Sequence, residues 1–223
     1  MSFYRTLQTQ TAAERERLLS APIIQDALAD RISLEQYLAF LTQAYHHVKH
    51  TVPLLMACGS RLPDSREWLR VAIAEYIKEE TGHQEWILGD IAAAGGDAQE
   101  VRSGKPHAST ELMISYAYDT IMRGNPVAFF GMVQVLEGTS VTTATVAADH
   151  ISRTLGLPRQ AFSYLYSHGD LDQDHIRFFA ELMDRIVGPE DQAAILHAAR
   201  MFYELYGNIF RAIPGSRRAD HAA

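Results

Sequence analysis

Hydrophobic positions recur at intervals of three and four along most of the chain, and no segment sustains the two-residue alternation of a half-buried strand. The clearest run is Leu34, Tyr37, Leu38, Leu41, Tyr45, Val48 and Val52, opened by Ser33 with Gln36 three residues later, the signature of a capping box. It predicts a helix from 34 to about 58. Pro53 lies inside that pattern, where it removes one backbone hydrogen bond and crowds the carbonyl of Lys49, so a kink is expected beside His46, His47 and His50. Before this helix, residues 10–31 read as one or two short helices broken near Pro22.

Asp64 followed by Glu67 opens a second long helix, with Trp68, Leu69, Ala72, Ile73, Tyr76 and Ile77 as its buried stripe; it continues past Glu79, Glu80 and His83 to Gly95-Gly96. The segment 96–108 is expected to be the one long loop. A third helix starts at Ser109 or Thr110 and stops at Gly124. Asn125-Pro126 caps the next, which runs to about Leu155 and carries Glu137. Gly156-Leu157-Pro158 breaks the chain, a further helical stretch begins near Arg159, and a last helix spans roughly Glu190 to Ile213. The fold class predicted is all-α, and the domain expected is a single one over residues 1–223, with its core in about 20–212 and a polar tail after 214.

Length and charge narrow the function classes. At 223 residues one sizeable core is expected, and no linker divides the chain. Net charge is −7 and the basic residues form no stripe, which argues against nucleic acid as a partner. The longest apolar stretch, Pro126 to Val133, is far shorter than the roughly 20 residues that span a bilayer, and the N-terminus lacks an apolar signal core, so no membrane partner and a cytoplasmic location are expected. The lone Cys58 excludes an internal disulfide and fits a reducing compartment. It follows an apolar run with no base beside it, so it reads as a small core residue.

Three stretches carry chemistry. His168, Asp172 and His175 stand at i, i+4 and i+7, which on a continuous helix puts them within roughly 60° of one another, a metal-ligand stripe. The structural alternative is that Gly169 ends one helix and Asp170, with Gln173 three residues on, caps the next. Glu79, Glu80 and His83 put a carboxylate and an imidazole three or four residues apart on one helix face. Their bland reading is a solvated face among Lys78, Gln84 and Glu85; Glu80-x-x-His83 is also the spacing by which di-iron carboxylate bundles project ligands into a core. Glu137 sits alone in an apolar run beside Phe130, Val133 and Val141, where an unneutralised carboxylate would be costly to bury; a buried ion pair or a protonated carboxyl is the alternative to a metal. Carboxylates and imidazoles from several helices suit iron or manganese.

On His168-x-x-x-Asp172-x-x-His175, Glu80-x-x-His83 and Glu137, the chain resembles the haem-oxygenase-like, seven-helix superfamily of TenA and PqqC proteins, and within it the di-iron oxidases and oxygenases. The resemblance covers about residues 20–212. It implies a seven-helix bundle and a metal site of Glu80, His83, Glu137, His168, Asp172 and His175, holding two iron ions or one. Members of that branch often draw a further glutamate from the first long helix or from one or two turns before the second-helix histidine. Here those places hold His46 or His47 and Tyr76, so His47 is a candidate substitute ligand.

The activity this implies is an iron-dependent oxidase or oxygenase with molecular oxygen as co-substrate and a small organic substrate in a helical-bundle cavity. Glu137 and Tyr76 are its candidate catalytic residues, and Tyr45 and Tyr164 are further candidate hydrogen-bond donors. A homodimer is the expected assembly. The alternatives are a metal-free PqqC-like oxidase or TenA-like hydrolase of the same fold, with Glu137 and the histidines as acid-base groups, and a non-enzymatic binding protein.

Overall fold

A computed structural model describes residues 2–170 and 172–214, with the side chains of residues 141, 142, 168–170 and 172–174 outside that description. No strand occurs among the described residues, so the all-α expectation holds. The expected count of seven helices does not. The described residues form α1 (Phe3–Gln10), α2 (Ala12–Leu19), α3 (Pro22–Leu28), α4 (Leu34–Val48), α5 (Thr51–Arg61), α6 (Glu67–Glu80), α7 (His83–Ala93), α8 (Ala98–Ser103), α9 (Ala108–Arg123), α10 (Phe130–Leu155), α11 (Ser163–Asp170), α12 (Asp172–Asp184) and α13 (Pro189–Ala212), with short 3-10 turns before α6, α10 and α11.

Several of the additional helices have a local cause. The Ser33–Gln36 capping box is present, but the helix it opens ends at Val48, and a new one begins at Thr51. Pro53 is then the third residue of α5, in a first turn whose N–H groups have no partner in the helix, so the chain breaks ahead of the proline where a kink was expected. The second long helix divides at Thr81-Gly82, where Gly82 takes the left-handed φ of 101°. Asp97 accepts the backbone N–H groups of Gln99 and Glu100, each at 2.9 Å, and so starts α8 inside the segment expected to be a loop. An N-terminal helix, α1, also forms; its Ser2 cap accepts the N–H of Arg5.

One hydrophobic cluster joins the helices, with α10 packed against α3, α11, α12 and α13. The α10–α13 crossing is close because Gly131 offers no side chain: a Cβ there would lie 2.5 Å from the backbone nitrogen of Ala199 and 2.8 Å from the carbonyl oxygen of Ile195. This fixes the base of α10 three residues before Gln134 and six before Glu137. Cys58 is fully buried and donates to the carbonyl of Pro126 at 3.3 Å, a core residue as expected. No described helix is long and apolar enough to cross a membrane. The polar tail lies outside the described residues.

Candidate functional site

A cavity of about 150 Å³ lies between α3, α4, α6, α10, α11 and α13. One part of its lining is polar: His47 from α4, Tyr76 and Glu80 from α6, Glu137 from α10, Tyr164 from α11 and Tyr206 from α13. The rest is mostly hydrocarbon, from α3, from Leu55 of α5 beside Thr51, and from the face of α10 that runs from Met132 to Ile151. Three hydroxyls interrupt that face, and all are turned back on their own helix. Thr139 donates to the carbonyl of Val135 and Thr143 to that of Thr139, each at 2.6 Å, while Ser140 donates to that of Glu137 at 3.0 Å. The wall therefore offers no free hydroxyl proton there. Among the described residues lining the cavity, none is lysine or arginine.

Glu80 ends α6 and His83 begins α7, so the two are not on one helix face as the sequence suggests. They still meet, with His83 Nδ1 3.0 Å from Glu80 Oε2, His83 being buried and Glu80 partly so. The break at Thr81-Gly82 keeps the imidazole within reach of the last residue of α6. Glu79, one residue earlier, points to a different partner, with its Oε2 3.1 Å from Nε2 of His175 on α12. Both glutamates thus carry an imidazole.

Tyr76 is the group these carboxylates surround. Burial raises its pKa far above the ordinary phenol value, and the negative charges of Glu137, Glu79 and Glu80 raise it further. The phenol keeps its proton. Burial similarly raises Tyr164, helped by Tyr206, Glu80 and Asp90, and Tyr206 is raised by burial alone. His47 is buried and meets Tyr206 edge-to-face at 5.6 Å. Its neighbours go elsewhere: His46 Nδ1 lies 3.3 Å from Lys49 Nζ, His50 Nδ1 lies 3.2 Å from the Tyr118 hydroxyl, and Tyr45 packs on His46 and Lys49 away from the cavity lining. Of His46, His47 and His50 only His47 lines the cavity.

The structure therefore gathers Glu80, His83, Glu137, Tyr76, His47 and Tyr164 at or beside one polar end, and sets His175 against Glu79. Among the described residues no three of His, Cys, Asp and Glu come together closely enough to hold a metal ion. The side chains of His168 and Asp172 lie outside the described residues. Residue 171, between α11 and α12, also lies outside the described residues, so the sequence call of one ligand stripe through His168, Asp172 and His175 falls largely outside them. The carboxylate and imidazole donors that are described fit iron by their chemistry. Sequence reading missed Tyr206, which sits in the apolar stripe of α13 among Phe202, Ile209 and Phe210 and looks like core by its spacing.

Several known proteins share this architecture. A domain of unknown function with a haem oxygenase-like fold from Shewanella denitrificans superposes with a TM-score of 0.84 at 24% identity, over 96% of this chain and 92% of that one. A TenA homologue from Pseudomonas syringae pv. tomato gives 0.79 at 13% identity, over 92% and 90%. The haem oxygenase of Leptospira interrogans gives 0.74 at 15% identity, over 95% and 99%. The fold is thus the haem-oxygenase-like, TenA-like all-helical one. No curated protein matches the chain. A family model described as "Iron-containing redox enzyme" matches residues 38–207.

Proposed function

The chain belongs to that family of iron-containing redox enzymes, and from this premise we propose that it is an iron-dependent oxidase or oxygenase of the di-iron branch, acting on a small, largely apolar substrate in the helical cavity. The observation that carries the reading is the presence of Tyr76, Glu80 and Glu137 together in the lining of an otherwise apolar cavity, with the buried His83 imidazole 3.0 Å from Glu80. Carboxylates lining an apolar cavity are costly to bury as anions, and a bound cation offsets that cost. Glu80, His83, Glu137 and His175 would hold the metal, joined by His168 and Asp172 from α11 and α12, with His47 as a further donor. Iron, when bound there, supplies one-electron chemistry and a place for oxygen to bind.

The protein's own groups supply the rest. Tyr76 retains a proton on its buried hydroxyl in the cavity lining that also holds Glu137, so it serves as a donor rather than an anion. The Thr139, Ser140 and Thr143 hydroxyls are already committed to backbone carbonyls, which leaves the α10 wall to bind hydrocarbon and exclude water. An apolar substrate body lying on that wall places its reacting end at Tyr76 and Glu137. A cavity near 150 Å³ is the size that accepts a small organic molecule. A hydrolase built on Cys58 does not fit, because burial pushes its thiol up to about 12 and its hydrogen bond runs to Pro126.

Anaerobic Fe(II) titration with a stoichiometry readout, followed by oxygen uptake on the loaded protein, tests the proposal. One or two equivalents bound, with at least one lost in Glu137→Gln, supports it. A folded wild type that binds no Fe(II) overturns it.

A further inference from the structure

Asp90 is completely buried, lies outside the cavity lining, and has both carboxylate oxygens engaged. Oδ1 accepts the backbone N–H of Ser163 and Oδ2 that of Tyr164, each at 2.9 Å. Those are the first two N–H groups of α11, which the helix itself cannot satisfy, and a negative charge at that end is also favoured by the helix dipole. Few contacts tie two helices so directionally: two parallel charge-assisted bonds fix both distance and rotation. Asp90 stands seven residues after His83 on α7, so the two project from the same side about two turns apart. α11 carries Tyr164 into the cavity, and the backbone of His168 follows one turn later.

We infer that Asp90 is a positioning residue that locks the start of α11 onto α7 and so sets Tyr164 and His168 in register with His83. Its consequence for metal rests on the iron reading above; its hold on α11 does not. Asn at this position keeps one oxygen acceptor but turns an NH₂ group toward a backbone N–H, so one of the two bonds is lost and α11 is free to rotate. Ala removes both and leaves two buried donors without partners.

The test compares the full-length wild type, Asp90→Asn, Asp90→Ala and a control, Arg66→Ala, which removes the 2.6 Å Arg66–Asp191 bond at the start of α6. Hydrogen exchange of amides 163–168 reads the hold on α11, and anaerobic Fe(II) titration reads its effect on the site. Should Asp90→Ala not fold, Asp90→Asn carries the comparison. The expected result is faster exchange of amides 163–168 and about tenfold weaker Fe(II) binding in Asp90→Asn, with neither change in the control at matched stability. Exchange or Fe(II) affinity in Asp90→Asn no different from the control overturns the assignment. If the wild type binds no Fe(II), the iron reading is what fails, and the exchange comparison alone decides whether Asp90 holds α11.

Discussion

Glu80 and His83 lie 3.0 Å apart across a break between two helices, not along one. On a continuous helix an i, i+3 pair meets through backbone geometry alone. Here the meeting depends on Thr81 being extended and Gly82 being left-handed, with Thr81 Oγ1 also tied back to the carbonyl of Ile77 at 2.6 Å.

Gly82→Ala should therefore weaken the pair without any clash, because a Cβ at this position meets nothing within 4 Å. The cost is conformational, about 1–2 kcal/mol for an L side chain in the left-handed region. Urea denaturation should show that loss, and Fe(II) affinity should fall with it. Unchanged stability would mean that the reversal is held by its surroundings and not by the glycine.

How far the sequence reveals this arrangement depends on what sets each feature. Local signals were legible: the capping box at Ser33 and Gln36, the Asn125-Pro126 cap ahead of α10 and the glycine stop at Gly156 all appear where residue type alone places them. The divisions at Lys49-His50 and Thr81-Gly82 were not, since the hydrophobic period continues across each break and only the backbone departs from it. The gathering of Glu80, Glu137, Tyr76 and Tyr164 was partly legible, because isolated polar residues in apolar stripes stand out. Tyr206 and Asp90 were hidden for opposite reasons: one follows the core period of its helix, and the other finds its partners, the amides of Ser163 and Tyr164, more than seventy residues away.

Gly131→Ala gives a second expected outcome. In an exposed helix interior this exchange would stabilise by about 1 kcal/mol. At the α10–α13 crossing the added methyl meets the Ala199 nitrogen at 2.5 Å and the Ala198 Cβ at 2.9 Å, so the helices must separate. The sign should reverse, with a net loss of roughly 1–3 kcal/mol in denaturant unfolding. A gain in stability would show that the crossing yields readily.

Acid should unfold the metal-free protein in a way that traces to His46. Burial, Lys49 and His50 together lower its pKa from 6.5 to about 4, and His50 is lowered in the same direction. Between those values the unfolded chain binds the proton more readily than the folded one, so stability rises with pH through this window. It is fully present above about 6.5 and is lost as pH falls toward 4. Urea midpoints measured from pH 7.5 to 4 should fall less steeply in His46→Phe than in the wild type; identical slopes would exclude His46 as a source of the acid sensitivity.

The proposed metal site has a pH signature of its own, which separates His175 from a bystander. Glu79 and Glu80 each carry an imidazole, His175 at 3.1 Å and His83 at 3.0 Å, and a metal entering there must take nitrogen lone pairs that protons also seek. Imidazole nitrogens bind a metal only when they carry no proton, so Fe(II) binding should weaken as the solution is acidified. The wild type should lose affinity as pH is lowered. His175→Ala should bind about one equivalent less iron and show a slope shallower by one proton, since one competing nitrogen is gone. If stoichiometry and slope both match the wild type, His175 serves only as a partner to Glu79, and the metal donors on α12 must be sought nearer its start.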